Sequence, residues 1–156
     1  MQGSAMPTKE KHGWNTIDHY QEIHYACLER HPFVDHERQG TTDFHYYDTN
    51  FGLVGGISGE IYCRKNVVVQ VEKYAETREL RGGRLQIRSR WYRYNAHVAG
   101  KHVVLRYDNW HDPDGYHCHV FDIETGDGIA ARHMSREEFP TLAEFLSEVA
   151  AMMGND

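Results

Sequence analysis

Between Thr16 and Arg30, Ile17, Tyr20, His24, Cys27 and Leu28 recur near every 3.6 residues, the spacing that gathers side chains on one face of a helix. Thr16 supplies the side-chain oxygen of an N-cap and Pro32 stops the helix. Residues 33–42 are polar and turn-like, a linker within one domain. A weak strand is expected over Asp43 to Asp48. Gly52, Gly55, Gly56 and Gly59 then read as a flexible connection into a strand from Glu60 to Cys63. Arg64-Lys65-Asn66 reads as a short turn, and Val67 to Tyr74 is β-branched and strand-like.

Arg81-Gly82-Gly83 turns the chain into a long strand from Leu85 to Val98. By period-two alternation Leu85, Ile87 and Trp91 share one face, and Gln86, Arg88, Arg90, Tyr92 and Tyr94 the other. Trp91 and Phe121 are expected in the core. Gly100 and Asp112-Pro113-Asp114-Gly115 punctuate two further strands, Val103 to Asp108 and Tyr116 to Asp122. Thr141 and Glu144 have capping-box spacing, and Leu142, Phe145, Val149 and Met153 form an apolar stripe on a second helix. The pattern predicts an α+β fold: an antiparallel meander of about five strands covered by the C-terminal helix, with the N-terminal helix alongside.

At 156 residues the chain is the size of one domain. Met1-Gln2-Gly3-Ser4-Ala5-Met6 reads like a cloning scar followed by a second start. Residues 1–15 are therefore expected to be an unstructured terminus, and 16–156 a single α+β domain. No apolar run approaches the roughly 20 residues of a membrane helix, and no signal region opens the chain, so no membrane partner is expected. Cys27, Cys63 and Cys118 lack a C-x-x-C spacing. Reduced thiols and a cytoplasmic setting are the expectation.

Net charge is −6, but its distribution is uneven. Arg84, Arg88, Arg90, Arg93, Lys101 and Arg106 fall in a stretch without Asp or Glu, while Glu137, Glu138, Glu144, Glu148 and Asp156 crowd the C-terminus. An acidic protein can thus offer one face to anions. On that stretch Arg88, Arg90, Tyr92, Arg93 and Tyr94 interleave guanidinium groups with rings able to stack on unpaired bases. The plainer alternative is a solvated strand whose arginines pair with nearby carboxylates.

Twelve histidines are many for this length. His117 and His119 stand two apart in a predicted strand, on one face and roughly 7 Å apart. Arg106, Asp108 and Asn109 precede the turn that leads to them. Three readings fit. As general acid and base on a phosphodiester, His117 and His119 need only a cation, Arg106, and no metal or cofactor, because the RNA 2′-hydroxyl is the nucleophile. Asp108 and Asn109 would orient the site. As metal ligands, Gly115-x-His117-x-His119 with Glu124 and His133 partly resembles a cupin motif, although a cupin needs more strands than follow here. The third reading is two solvent-facing histidines without chemistry.

From about Gly59 to Val149 the chain resembles the TumE family, the toxin half of bacterial toxin–antitoxin pairs. The resemblance rests on Trp91-Tyr92-Arg93-Tyr94-Asn95-Ala96-His97, Leu105-Arg106-Tyr107-Asp108-Asn109, His117-Cys118-His119, and an acidic helix opened by Pro140-Thr141-Leu142. It implies a toxic activity neutralised by a DNA-binding antitoxin, a helix-turn-helix protein. Taken with the histidine pair and Arg106, the expected function is a toxin acting on RNA as a metal-independent ribonuclease. The N-terminal helix and glycine-rich segment lie outside the motifs. A non-enzymatic module docking an acidic partner protein and a metal-dependent enzyme are the alternatives.

Overall fold

The computed structural model describes residues 10–38, 40–49 and 52–154. Helix α1 (Ile17–Arg30) is followed by strands β1 (Asp43–Thr49), β2 (Gly52–Tyr62), β3 (Val67–Glu79), β4 (Leu85–Val98), β5 (Val103–Asp108), β6 (Tyr116–Phe121) and β7 (Gly128–Met134), and then by helix α2 (Leu142–Met152). The strands lie side by side in chain order, every neighbouring pair antiparallel. The α+β meander therefore holds, with seven strands instead of about five. Among the described residues no helix is long and apolar enough to cross a membrane.

Two strands escape the sequence pattern. The segment read as a flexible glycine connection is β2. Its glycines are needed by close packing: a Cβ on Gly56 would lie 2.2 Å from the Lys73 carbonyl oxygen, and one on Gly59 2.0 Å from that of Thr41. Gly59 also has φ +143°, a conformation side chains resist. Strand β7 is exposed along almost its whole length, so it has no apolar alternation to betray it. The turn at Arg64–Asn66 is as expected, with Lys65 and Asn66 both at φ 61°.

Helix α1 begins at the Thr16 cap, whose side chain accepts from the His19 N–H, and ends before Pro32. Helix α2 carries the complete Thr141–Glu144 capping box. Both helices cover the same face of the sheet, where Cys27 and Leu28 of α1 and Phe145, Leu146 and Val149 of α2 meet Val69, Val71, Tyr94, Ala96, Leu105 and Tyr107. Phe139, fully buried just before α2, sits among four tyrosine rings: Tyr92 at 5.0 Å, Tyr116 at 5.1 Å, and Tyr94 and Tyr107 at 5.7 Å between centroids. The opposite face is open.

Residues 1–9 of the expected unstructured terminus lie outside the described residues. Residues 10–15 pack against the sheet: Asn15 exchanges backbone hydrogen bonds with Ile87 of β4, and His12 is buried with its ring nitrogen Nε2 2.7 Å from the Phe139 carbonyl oxygen.

A bulge in β4 decides which residues face the helices. Tyr74 pairs with Trp91 and Ala75 with Ser89, leaving Arg90 as the extra residue. Before the bulge Ile87 and Ser89 point to the helices; after it Tyr92, Tyr94 and Ala96 do. The uninterrupted alternation expected from sequence is thus wrong beyond Arg90. Trp91 is only half-buried instead of core, as is Phe121, and Leu85 is exposed.

Truncating Phe139→Ala removes the common neighbour of four tyrosines and is expected to destabilise the fold by about 3–5 kcal/mol in urea unfolding. Acid should do so too. Burial pushes His12 down to about 4 and His24 to about 3, from an ordinary value near 6.5 regained on unfolding. The unfolded chain therefore binds protons first, so stability is fully present above about pH 6.5 and falls as pH drops toward 4. Urea midpoints measured from pH 7.5 to 5 check this, and His24→Gln should flatten the slope.

Candidate active site

Strand β5 leads through a seven-residue connection, 109–115, into β6. The register sets Asp108 opposite His117 and Arg106 opposite His119. In an antiparallel pair directly opposed residues share a face. The four side chains therefore stand together on the open face, the one feature of this hairpin that alternation alone left undetermined. Tyr116 and Cys118 point the other way and are buried.

Asp108, 6% exposed, is the centre of the group. Its Oδ1 lies 3.1 Å from His117 Nε2 and accepts from the Trp110 N–H at 3.3 Å, while Oδ2 lies 3.7 Å from Arg106 Nε. On the far side of the same imidazole, Nδ1 is 3.0 Å from the Gly115 carbonyl oxygen. Acceptor oxygens thus lie on opposite sides of one ring. Gly115 serves here through its carbonyl, a contribution no side-chain motif announces.

His119 differs from its neighbour. Its ring stands edge-on to His117 with centroids 5.0 Å apart, and on its other side stacks with Phe121 at 6.3 Å. Among the described residues its ring nitrogens have no hydrogen-bond partner. Partial burial, then the neighbouring His117 and Arg106 charges, push its pKa below the ordinary value, against a smaller opposing pull from Asp108. His133 of β7 stands opposite His117, its exposed ring 5.9 Å away. Glu124 lies in the exposed β6–β7 connection. Among the described residues no group of three or more His, Cys, Asp or Glu side chains is arranged to hold a metal ion.

Asn109, expected beside the chemistry, is fully buried and spends its amide on the backbone. Its Oδ1 accepts from the Tyr92 N–H at 2.6 Å, and its Nδ2 donates to the carbonyls of Arg90 at 2.8 Å and Pro113 at 3.0 Å. It clasps the β4 bulge to the 112–115 turn. Any influence on the site is indirect, through the turn that carries Gly115.

The residues expected to bind RNA divide. Tyr92 and Tyr94, 2% and 1% exposed, belong to the core and offer no face to a base; the bulge turns them inward. Arg88, Arg90 and Arg93 remain partly exposed, and each has a carboxylate partner: Arg88 with Glu76 at 2.6 Å, Arg90 with Asp114 at 3.1 Å, Arg93 with Glu72 at 3.5 Å. Arg93 also lies over the Trp110 ring at 4.2 Å, and Trp110 neighbours Tyr74 at 5.4 Å. These two rings are the aromatic surface beside the arginines that sequence reasoning had assigned to Tyr92 and Tyr94. Arg106 is the least committed of the group: its Nε is buried without a hydrogen-bond partner, although the guanidinium lies 5.9 Å from the Phe121 ring.

Comparison with family models, curated proteins and solved structures finds no match to this chain.

Replacing Asn109 with Ala takes the side-chain partner from the Tyr92 N–H and the Arg90 carbonyl, at about 1–3 kcal/mol for a group left unmet, while the Pro113 carbonyl keeps its bond from Arg90. A loss of about 2–4 kcal/mol in thermal or urea unfolding is expected. The loss should be far smaller for Asp114→Ala, which removes only an exposed ion-pair partner.

Proposed function

We propose that this protein is a TumE-like toxin that cleaves RNA without a metal, in the cytoplasm, and that a helix-turn-helix antitoxin is its partner. The observation that carries the reading is the β5–β6 register, which gathers Arg106, Asp108, His117 and His119 on one uncovered face. The resemblance in sequence supplies the toxin role and the partner.

The chemistry follows from the different surroundings of the two imidazoles. His119, its pKa pushed down and its ring without a hydrogen bond among the described residues, takes the proton from a 2′-hydroxyl as its oxygen attacks the adjacent phosphorus. Charge then develops on the non-bridging oxygens. Arg106, whose donors are not spent on a strong ion pair, lies across from His119 to meet it. The leaving 5′-oxygen needs a proton, and His117, held between the Asp108 carboxylate and the Gly115 carbonyl, would supply it. Asp108 orients that ring. Arg88, Arg90 and Arg93 would exchange their carboxylate partners for backbone phosphates, an exchange favoured by low salt. Trp110 and Tyr74 offer rings on which a base can stack.

Cleavage of a short labelled RNA, with a 2′-O-methyl copy as the uncleavable control, tests the reading. His119→Ala and His117→Ala should each lower the single-turnover rate by about 10²–10⁴-fold while leaving the fold intact. Activity should persist in chelator, and the acid limb of the rate profile should fall below pH 6.5, because the base is held below its ordinary value. Unchanged cleavage in the double variant would remove the proposed catalytic pair. RNA binding without cleavage would favour a binding module, and loss of activity in chelator a metal enzyme.

A further inference from the structure

On the helix-covered face, away from the histidine cluster, the inward positions of β3 run Val67, Val69, Val71, Lys73, Ala75. Four of the five are buried apolar residues. Lys73 breaks the series. Its ammonium enters a cavity of about 640 Å³ bounded by α1, the 11–15 segment, the sheet and the start of α2, within the size range of pockets that hold small organic ligands.

The cavity is unusual in its charge. In a chain with 23 acidic residues, no Asp or Glu lines it, while Lys11, Arg30 and Lys73 all do, Lys11 being paired with Glu144 at 2.8 Å outside the lining. Lys73 has no ion pair or hydrogen bond among the described residues; its nearest compensation is the Tyr94 ring, 5.5 Å from Nζ. A second polar group is also unpaired. His24, 3% exposed, holds Thr42 Oγ1 at 3.1 Å with Nε2, and its buried Nδ1 has no partner. In the tautomer in which the Thr42 hydroxyl donates to Nε2, Nδ1 carries the proton and can donate to a ligand. Much of the remaining wall is apolar, including Ile57, Tyr92, Tyr94 and Leu142. The exposed Ile23, Arg30, Ala143 and Ser147 mark a mouth between the two helices, crossed by the His31–Ser147 hydrogen bond of 2.9 Å.

A half-buried ammonium without an ion pair and a buried imidazole nitrogen without a partner, both among the described residues, can be met together by one anionic oxygen group. We infer that this cavity is a binding site for a small carboxylate with an apolar body, its carboxylate held by Lys73 and His24 and its body by Ile57, Tyr92, Tyr94 and Leu142. Burial holds Lys73 down at about 8, the response of an ammonium that has no anion beside it. The site does not depend on the RNA-cleaving reading, since none of its residues belongs to the histidine face.

Calorimetric titration of the full chain with octanoate, decanoate and 1-naphthoate, and with 1-decanol as the uncharged counterpart, tests the inference. At least one carboxylate should bind saturably at one site, and decanol at least tenfold more weakly than decanoate if decanoate is the ligand that fits. Lys73→Met should weaken binding tenfold or more while leaving the melting temperature unchanged or higher, because a partly desolvated charge without an ion pair has been removed. Ala26→Trp, which fills the cavity without touching a charge, should abolish binding, and Lys101→Met on the surface should not change it. Saturable binding by none of the carboxylates, or equal affinity in the wild type and a folded Lys73→Met, would overturn the assignment.

Discussion

One surplus residue in β4 sets the layout of both faces of this protein. Arg90 has no partner on β3, and the backbone accommodates it by a bulge that reverses the sidedness of everything downstream. Without it the inward series Ile87, Ser89 would continue through Trp91, Arg93 and Asn95, and the helices would meet a guanidinium and an amide. With it they meet Tyr92, Tyr94 and Ala96, and Arg93 and Asn95 turn outward beside Asp108 and Arg106. A kink in backbone pairing thus separates an aromatic core from a polar working surface.

The bulge is held by a single amide side chain. Asn109 bonds to the backbone on either side of Trp91, at the Arg90 carbonyl and the Tyr92 N–H, and to the Pro113 carbonyl of the following turn. Pro113 also accepts from Arg90, whose other nitrogen reaches Asp114. That turn delivers Gly115, whose carbonyl fixes the His117 ring from behind. Position of the imidazole therefore traces back through a turn and a buried asparagine to an irregularity two strands away. Ring orientation is controlled by backbone atoms at one end and by Asp108 at the other, the arrangement that keeps a proton-handling group in one pose.

The sequence was most informative where local physics decides. The helix limits near Thr16 and Thr141 follow from side-chain caps, and the Arg64–Asn66 turn and the run of antiparallel strands follow from turn residues and alternation. It was misleading where a partner strand decides. The β2 glycines look like a hinge until β3 and the residues before β1 press against them, and Tyr92 and Tyr94 look exposed until the bulge is known. Strand β7 has no inward stripe, so pairing with β6 alone defines it. For the site, spacing alone sufficed to place His117 with His119 and Arg106 with Asp108. Whether the two pairs met depended on a register that only the folded turn supplies. Lys73 was legible in principle, as a charge at an inward position of a valine-rich strand.

Strand order along the sheet equals strand order along the chain. On a ribosome each hairpin can close as soon as its second strand emerges, without waiting for distant sequence, which favours rapid formation of the sheet. Helix α1 is the exception. It is synthesised before the sheet, yet the hydroxyl that anchors it, Tyr20 to Ser89 at 2.5 Å, finds its mate only after three strands have appeared and a fourth is under way. This helix is thus the early arrival that must dock late, and its apolar stripe stays uncovered until β4 is made.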